Sequence, residues 1–264
     1  MVKKLLRHEF IYYFRTFSLF LPMVLIIALV TRIFKAMGNE RYVQIVQGSS
    51  EVLLTLGCVA LLVMSVAVGV IRFYKNMYSA EGYLTLTLPV THTAHIFVKL
   101  LAAIICQVGC AATVFVASII SKTGEELSYM WSELDFTISR NAMSDMIFVV
   151  EIIALILTVA ISNMLMYYTC ITIGQTAKKN RILMSVGAYF LIYIISQVVA
   201  TIAIIVISVL STAGALDGIA IFFSRYPELT IQLFLLAFIL MYVVISAIFW
   251  RITQSIMTKK LNLE

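Results

Sequence analysis

The groups able to do proton, metal or nucleophilic chemistry are 13 carboxylates, three histidines and four cysteines, and their spacing limits what they can do. Glu125 and Glu126 form an adjacent acid pair able to activate water, but no histidine follows within an apolar segment to complete a hydrolytic site. His8, His92 and His95 all flank apolar segments instead of sitting inside them. Cys106 and Cys110, four residues apart, share a helix face, yet no histidine or carboxylate accompanies them at ligand spacing. With Cys58 and Cys170 they read as buried apolar thiols, so no metal site is expected. His-Glu-x-x-His and Gly-x-Ser-x-Gly are absent, which removes the common zinc and serine hydrolase chemistries. The dipeptide Gly-Lys never occurs, so the phosphate-binding loop that cradles ATP is missing as well. No catalytic residue is assigned.

Polar groups inside apolar stretches are the remaining candidates. Glu151, Thr158, Ser162 and Asn163 fall on or beside one helical face, Tyr193 and Gln197 share another, and Gln107 lies in a third segment. They could line a translocation path, with Glu151 the one ionisable group near lipid depth. Ordinary helix packing through small hydroxylated residues is the plainer account.

The elements that would position these groups follow from composition. Of 264 residues, 62% are hydrophobic and 12% charged, with a mean hydropathy of +1.03. A soluble domain carries about a quarter charged residues, whereas about 20 apolar residues cross a bilayer as a helix. Six spans are expected, near residues 17–34, 52–71, 96–120, 146–173, 182–210 and 229–250. They form one all-α, polytopic transmembrane domain over 1–264. Polar links are expected at 35–51 and 122–145, and a short apolar turn at 219–223 before the last span.

Residues 1–16 precede the first span as an amphipathic elbow helix. Val2, Leu5, Leu6, Phe10, Tyr13, Phe14 and Phe17 recur at helical spacing, and Lys3, Lys4, Arg7, His8, Tyr12 and Arg15 fill the other face. Such a helix is expected in the membrane interface, cations towards anionic headgroups. Lys99, one turn inside the third span, is expected to snorkel to the surface. With both termini, 72–95, Lys99 and 174–181 on one side, that side holds 13 Lys/Arg and 3 Asp/Glu, and the other 6 and 10. The positive-inside bias then puts both termini in the cytoplasm. It also accounts for the net charge of +6 without nucleic acid.

Between the second and third spans, residues 72–95 carry Glu81-Gly82-Tyr83-Leu84, then Leu86-Thr87-Leu88-Pro89-Val90-Thr91, with Lys99 opening the next span. Gly82 permits a tight bend and Pro89 forces a turn. The leucines, with Tyr74, Tyr78 and Tyr83, are apolar groups on an aqueous side and need a cover. This pattern resembles the permease subunits of type-2 class ABC exporters: an acidic-Gly pair, a Leu-rich turn ending Pro-Val-Ser/Thr, and a following Lys. Tyr83 departs from it, since Thr more often follows the Gly. The resemblance implies a transmembrane subunit of an ATP-driven exporter in a plasma membrane, the small size pointing to a bacterial one. It would form its path with a second permease subunit, identical or homologous. It implies that Glu81, Gly82, Tyr83, Leu84, Leu86, Leu88, Pro89, Val90 and Thr91 couple the bundle to ABC ATPase subunits. ATP and Mg would be held by those partners, with no cofactor on this chain. The alternative is an ATPase-independent transporter or a membrane scaffold. The substrate is not encoded in any motif.

Overall fold

The computed structural model describes residues 2–37, 41–78, 91–122, 126, 128–129, 142–177, 179–214 and 217–259. All its regular elements are helices: α1 (Val2–Phe17), α2 (Phe20–Ala36), α3 (Arg41–Tyr78), α4 (His92–Ile120), α5 (Ala142–Gly174), α6 (Arg181–Thr212), α7 (Asp217–Arg225) and α8 (Pro227–Lys259). Six are long and apolar enough to cross a membrane: α2 together with α1, then α3, α4, α5, α6 and α8. The chain is therefore an all-α protein with six candidate membrane spans. Its internal contacts group into two units, residues 1–145 and 146–264.

In the first unit, α2, α3 and α4 pack on one another and α1 packs on α4. The second span is far longer than its apolar stretch. α3 has 38 residues, about 57 Å at the helical rise of about 1.5 Å per residue. The link expected at 35–51 is thus mostly helix, because Arg41 to Glu51 continues α3. Likewise the buried stripe Leu61, Ser65, Gly69, Phe73 and Met77 steps by four residues to the end of α3. That stripe carries the helix past the expected end at Ile71. In α4, Ile96, Ala103, Cys110 and Ala117 are all buried at seven-residue spacing. Small residues at three of these four positions make a smooth seam for close helix packing.

Contacts of α1 and α2 with α3 keep one antiparallel register. Gln47 Nε2 donates to the Phe34 carbonyl at 2.9 Å, and the Thr31 hydroxyl donates to the Ser50 carbonyl at 3.4 Å. At the other end, Arg72 and Asn76 bond Glu9. From Thr31 to Glu9, and from Ser50 to Arg72, each path covers the same number of residues, about 33 Å of helix. The break at Ser18–Leu19 therefore separates the amphipathic N-terminal helix from the first span without swinging it off α3. Helical hydrogen bonding from Ser18 N–H to the Phe14 carbonyl, 2.8 Å, persists into the break.

In the second unit, the Thr169 hydroxyl on α5 lies 2.9 Å from that of Thr253 on α8 and 3.2 Å from the Phe249 carbonyl. Tyr167 and Tyr189 stack between α5 and α6, centroids 5.9 Å apart. The hairpin joining those helices turns through Asn180 at φ 54°, a left-handed conformation that Asn tolerates. At the far end of α6, Gly214 at φ 72° stops the helix. The short apolar piece before the last span is the nine-residue α7. α6 has no buried residue, as expected of a helix apolar on every side that meets hydrocarbon.

Gly174 is the tightest point of the α5–α6 hairpin. A Cβ there would lie 2.6 Å from the Ser185 amide nitrogen and 2.7 Å from the Arg181 carbonyl oxygen, and would also strike the Ser185 hydroxyl. Gly187 has nothing within 4 Å of such an atom. Gly174→Leu should therefore lower the thermal unfolding midpoint in detergent by several degrees, whereas Gly187→Ala should leave it unchanged or raise it. Equal midpoints for the two variants would show that the hairpin opens without cost.

Candidate functional site

The strongest polar constellation lies where α1, the end of α3 and the start of α4 meet. Glu9 is the only acid in the first 39 residues. It sits four and eight residues before Tyr13 and Phe17, and all three are buried. A helical stripe of this spacing packs into a core, so α1 carries a carboxylate into an otherwise apolar contact. The rest of the structure supplies its partners. Lys99 Nζ donates to Glu9 Oε1 at 2.8 Å, Arg72 Nε to Oε2 at 3.0 Å, and Asn76 Nδ2 to Oε1 at 3.0 Å. The Arg72 guanidinium also lies 4.0 Å from the centre of the Tyr12 ring. Glu9 and Lys99 side chains are 4% and 3% exposed, so the pair is shielded from water.

Lys99 therefore does not snorkel; it turns inward to the Glu9 carboxylate. Burial raises the cost of an unpaired charge far above the cost of ordering a lysine side chain. His95, one turn before Lys99, is also buried, as are Ile96 and Val98, and across from them Phe73 and Met77. The expected 72–95 loop is shorter than its sequence implies: α3 runs to Tyr78 and α4 begins at His92, with extended Thr91 as its N-cap. Glu81, Gly82, Tyr83, Leu84, Leu86, Leu88, Pro89 and Val90 lie outside the described residues. Their two helical stems are fastened to each other through Glu9.

The apolar face of α1 is also placed. Tyr13 and Phe17 are buried and Leu5, Leu6 and Phe10 half-buried, while Phe14, expected on the same face, is 77% exposed. At 40° beyond Phe10 on the wheel, it falls on the cationic side.

The opposite end of the first unit has its own charge cluster. Lys35 Nζ lies 2.9 Å from Glu51 Oε1 and 3.4 Å from Glu126 Oε2. Glu126 thus has a cationic partner, and Glu125 lies outside the described residues. All four cysteines are free; Cys110 and Cys170 are buried, but Cys58 and Cys106 are only half-buried. Among the described residues no group of three or more His, Cys, Asp or Glu could hold a metal ion.

The candidates for a translocation path fall in both units. Gln107 is half-buried in the first unit. In the second, Ser162 is buried, Glu151 and Thr158 are half-buried, and Asn163, Tyr193 and Gln197 are exposed. The Thr158 hydroxyl is satisfied within its own helix, 2.9 Å from the Ala154 and Leu155 carbonyls. Glu151 Oε2 is buried with no hydrogen-bond partner among the described residues. Comparison with known proteins adds no relative: no family model, curated protein or solved structure matches this chain.

Glu9 escaped the sequence reading because a single acid in a basic segment looks like surface charge. Its position on the Tyr13–Phe17 stripe was the available signal. Removing one member of a buried ion cluster costs about 3–5 kcal/mol, whereas replacing the whole cluster by apolar groups of similar size is far milder. Glu9→Leu should accordingly destabilise the first unit by roughly that amount. The triple variant Glu9→Leu, Arg72→Met, Lys99→Met should recover most of the loss. Thermal unfolding in detergent reads both, and a triple variant no more stable than the single one would show that the cluster is not the fastening.

Proposed function

We propose that this chain is the transmembrane subunit of an ATP-driven exporter of the type-2 ABC class, working with a separate ATPase. The observation that carries the reading is Glu81-Gly82-Tyr83-Leu84 followed by Leu86-Thr87-Leu88-Pro89-Val90-Thr91, between the second and third of six spans, with Lys99 behind it. The fold supports it. A segment that receives force from a soluble partner must be joined stiffly to the bundle, and both stems of 79–90 are tied to α1 by the Glu9 cluster. In this reading the 79–90 segment and both termini are cytoplasmic, in the plasma membrane of a bacterium, as the Lys/Arg bias favours. ATP-driven closure of the partner ATPase would press on Glu81 to Thr91 and shift the bundle between two access states. Two permease subunits, identical or homologous, would enclose the path. The chain itself contributes no hydrolytic residue.

Purification of the tagged chain from its native membrane in mild detergent tests this. A soluble protein bearing a phosphate loop should co-purify in stoichiometric amount, and should be lost when residues 81–91 are replaced by a Gly/Ser linker. Recovery of the intact chain alone, under conditions that preserve known complexes, would move the assignment to an ATPase-independent transporter or scaffold. Once a partner is in hand, Gly82→Pro or Pro89→Gly should leave insertion and ATP hydrolysis in place and abolish transport. Normal transport by these variants would remove the lever role.

A further inference from the structure

The seam between α2 and α3 is shut at one end and open along its side. Towards the connection of the two helices, Ala28 and Thr31 are completely buried, and the Thr31 hydroxyl reaches the Ser50 carbonyl. Nearer α1 the helices part around a cavity of about 200 Å³, where Phe20, Val24 and Ile27 face Gly57, Leu61 and Met64. No lining residue is polar. Phe20 and Met64 are 41% and 36% exposed, so the cavity opens on the outer surface of the helix pair. Gly57 keeps the space free. It lies inside α3, where glycine is a poor helix former. A Cβ there would meet only Val24 Cγ2 at 3.9 Å and Ile27 Cδ1 at 4.0 Å, ordinary contact distances. Packing of α2 on α3 therefore does not require a glycine at this point, and a longer side chain would occupy the cavity.

The open surface continues to a cation. Met64, Val68, Ile71 and Lys75 follow at steps of four, three and four residues on one face of α3. Ile71 and Lys75 are exposed and Val68 is half-buried. Lys75 forms no ion pair among the described residues. Across the seam, the half-buried Tyr12 of α1 stacks on the Arg72 guanidinium, 4.0 Å from the ring centre. Lys75 stands about 16 Å along α3 from Met64, close to the hydrocarbon depth of one leaflet, about 15 Å. From these observations we infer that the α2–α3 seam binds one phospholipid molecule. Its phosphate rests on Lys75, and one acyl chain follows Ile71, Val68 and Met64 into the cavity to end against Gly57. An apolar cavity of about 150 Å³ stays dry and takes hydrocarbon, and this one faces the membrane interior. A phosphate is common to neutral and anionic phospholipids, so a single lysine serves either. A helix of a second copy, at least about 10 Å across, is too wide to enter the cavity and would set Lys75 against apolar surface. The inference goes beyond the exporter reading and does not depend on it.

Photolabelling of the full-length chain in phosphatidylcholine vesicles tests the site, with a trace of phosphatidylcholine carrying a diazirine at the end of one acyl chain. Label on residues 20–27 and 57–64 should be about tenfold denser per residue than on the exposed α6. Gly57→Leu should bring it down to the α6 level, with helix content and elution volume unchanged. Gly48→Leu, at an open position of the same helix, should leave it intact, and Lys75→Gln should lower it severalfold. Phosphorus analysis of the unaltered chain, washed in mild detergent, needs no variant and should find one retained phosphate per chain. Label spread evenly over the spans, or label that survives both Gly57→Leu and Lys75→Gln, would overturn the assignment. Label that appears only in dilute protein and is lost as copies associate would overturn it in favour of a second copy on this face.

Discussion

One carboxylate holds the first half of this molecule in register. Glu9 accepts from Lys99, Arg72 and Asn76, which come from two helices and sit on either side of the 79–90 segment. Where water is excluded, each of these charges would be costly alone, and together they compensate one another. The geometry is demanding, because moving any one helix by a few ångström leaves a buried charge unpaired. Apolar packing by Tyr13, Phe17, Phe73, Met77 and Ile96 would tolerate sliding far better. Hydrocarbon contacts provide the area of contact, and the ion cluster selects a single alignment of α1, α3 and α4.

The second unit follows a different rule. Its spans expose apolar side chains along their length, and α6 buries none of its residues. Such a surface is unworkable in water and ordinary in lipid, where leucine and acyl chain are equally apolar and burial between helices gains little. A short polar contact joins α5 to α8 there, and other hydroxyls are satisfied within their own helices. The Thr169 and Thr253 hydroxyls meet across α5 and α8, and Thr172 and Ser246 return their hydroxyls to carbonyls one turn back, 2.7 Å away in each. No polar hydrogen of these groups is then left to face hydrocarbon.

Within the first unit, the Glu9 contacts stiffen one end. There α1, the last turns of α3 and the first turns of α4 are fastened together on either side of residues 79–90.

Much of this was legible in the chain itself. Six spans and the amphipathic start follow from hydropathy and helical period, which are local properties. The sequence also placed Lys99 and the 72–95 connection, but misjudged both: it sent Lys99 to the surface and ended α3 seven residues early. Those outcomes depend on Glu9, about 90 residues from Lys99 in sequence, and a pairing at that separation leaves no periodic trace. The face of α1 that meets the protein was equally undetermined, since apolar residues suit a core and a lipid interface alike. Composition decided that this protein is helical with six segments apolar enough to cross a membrane. Only the tertiary structure decided which charges are buried together, because the penalty for an unpaired charge depends on neighbours that the chain brings from far away.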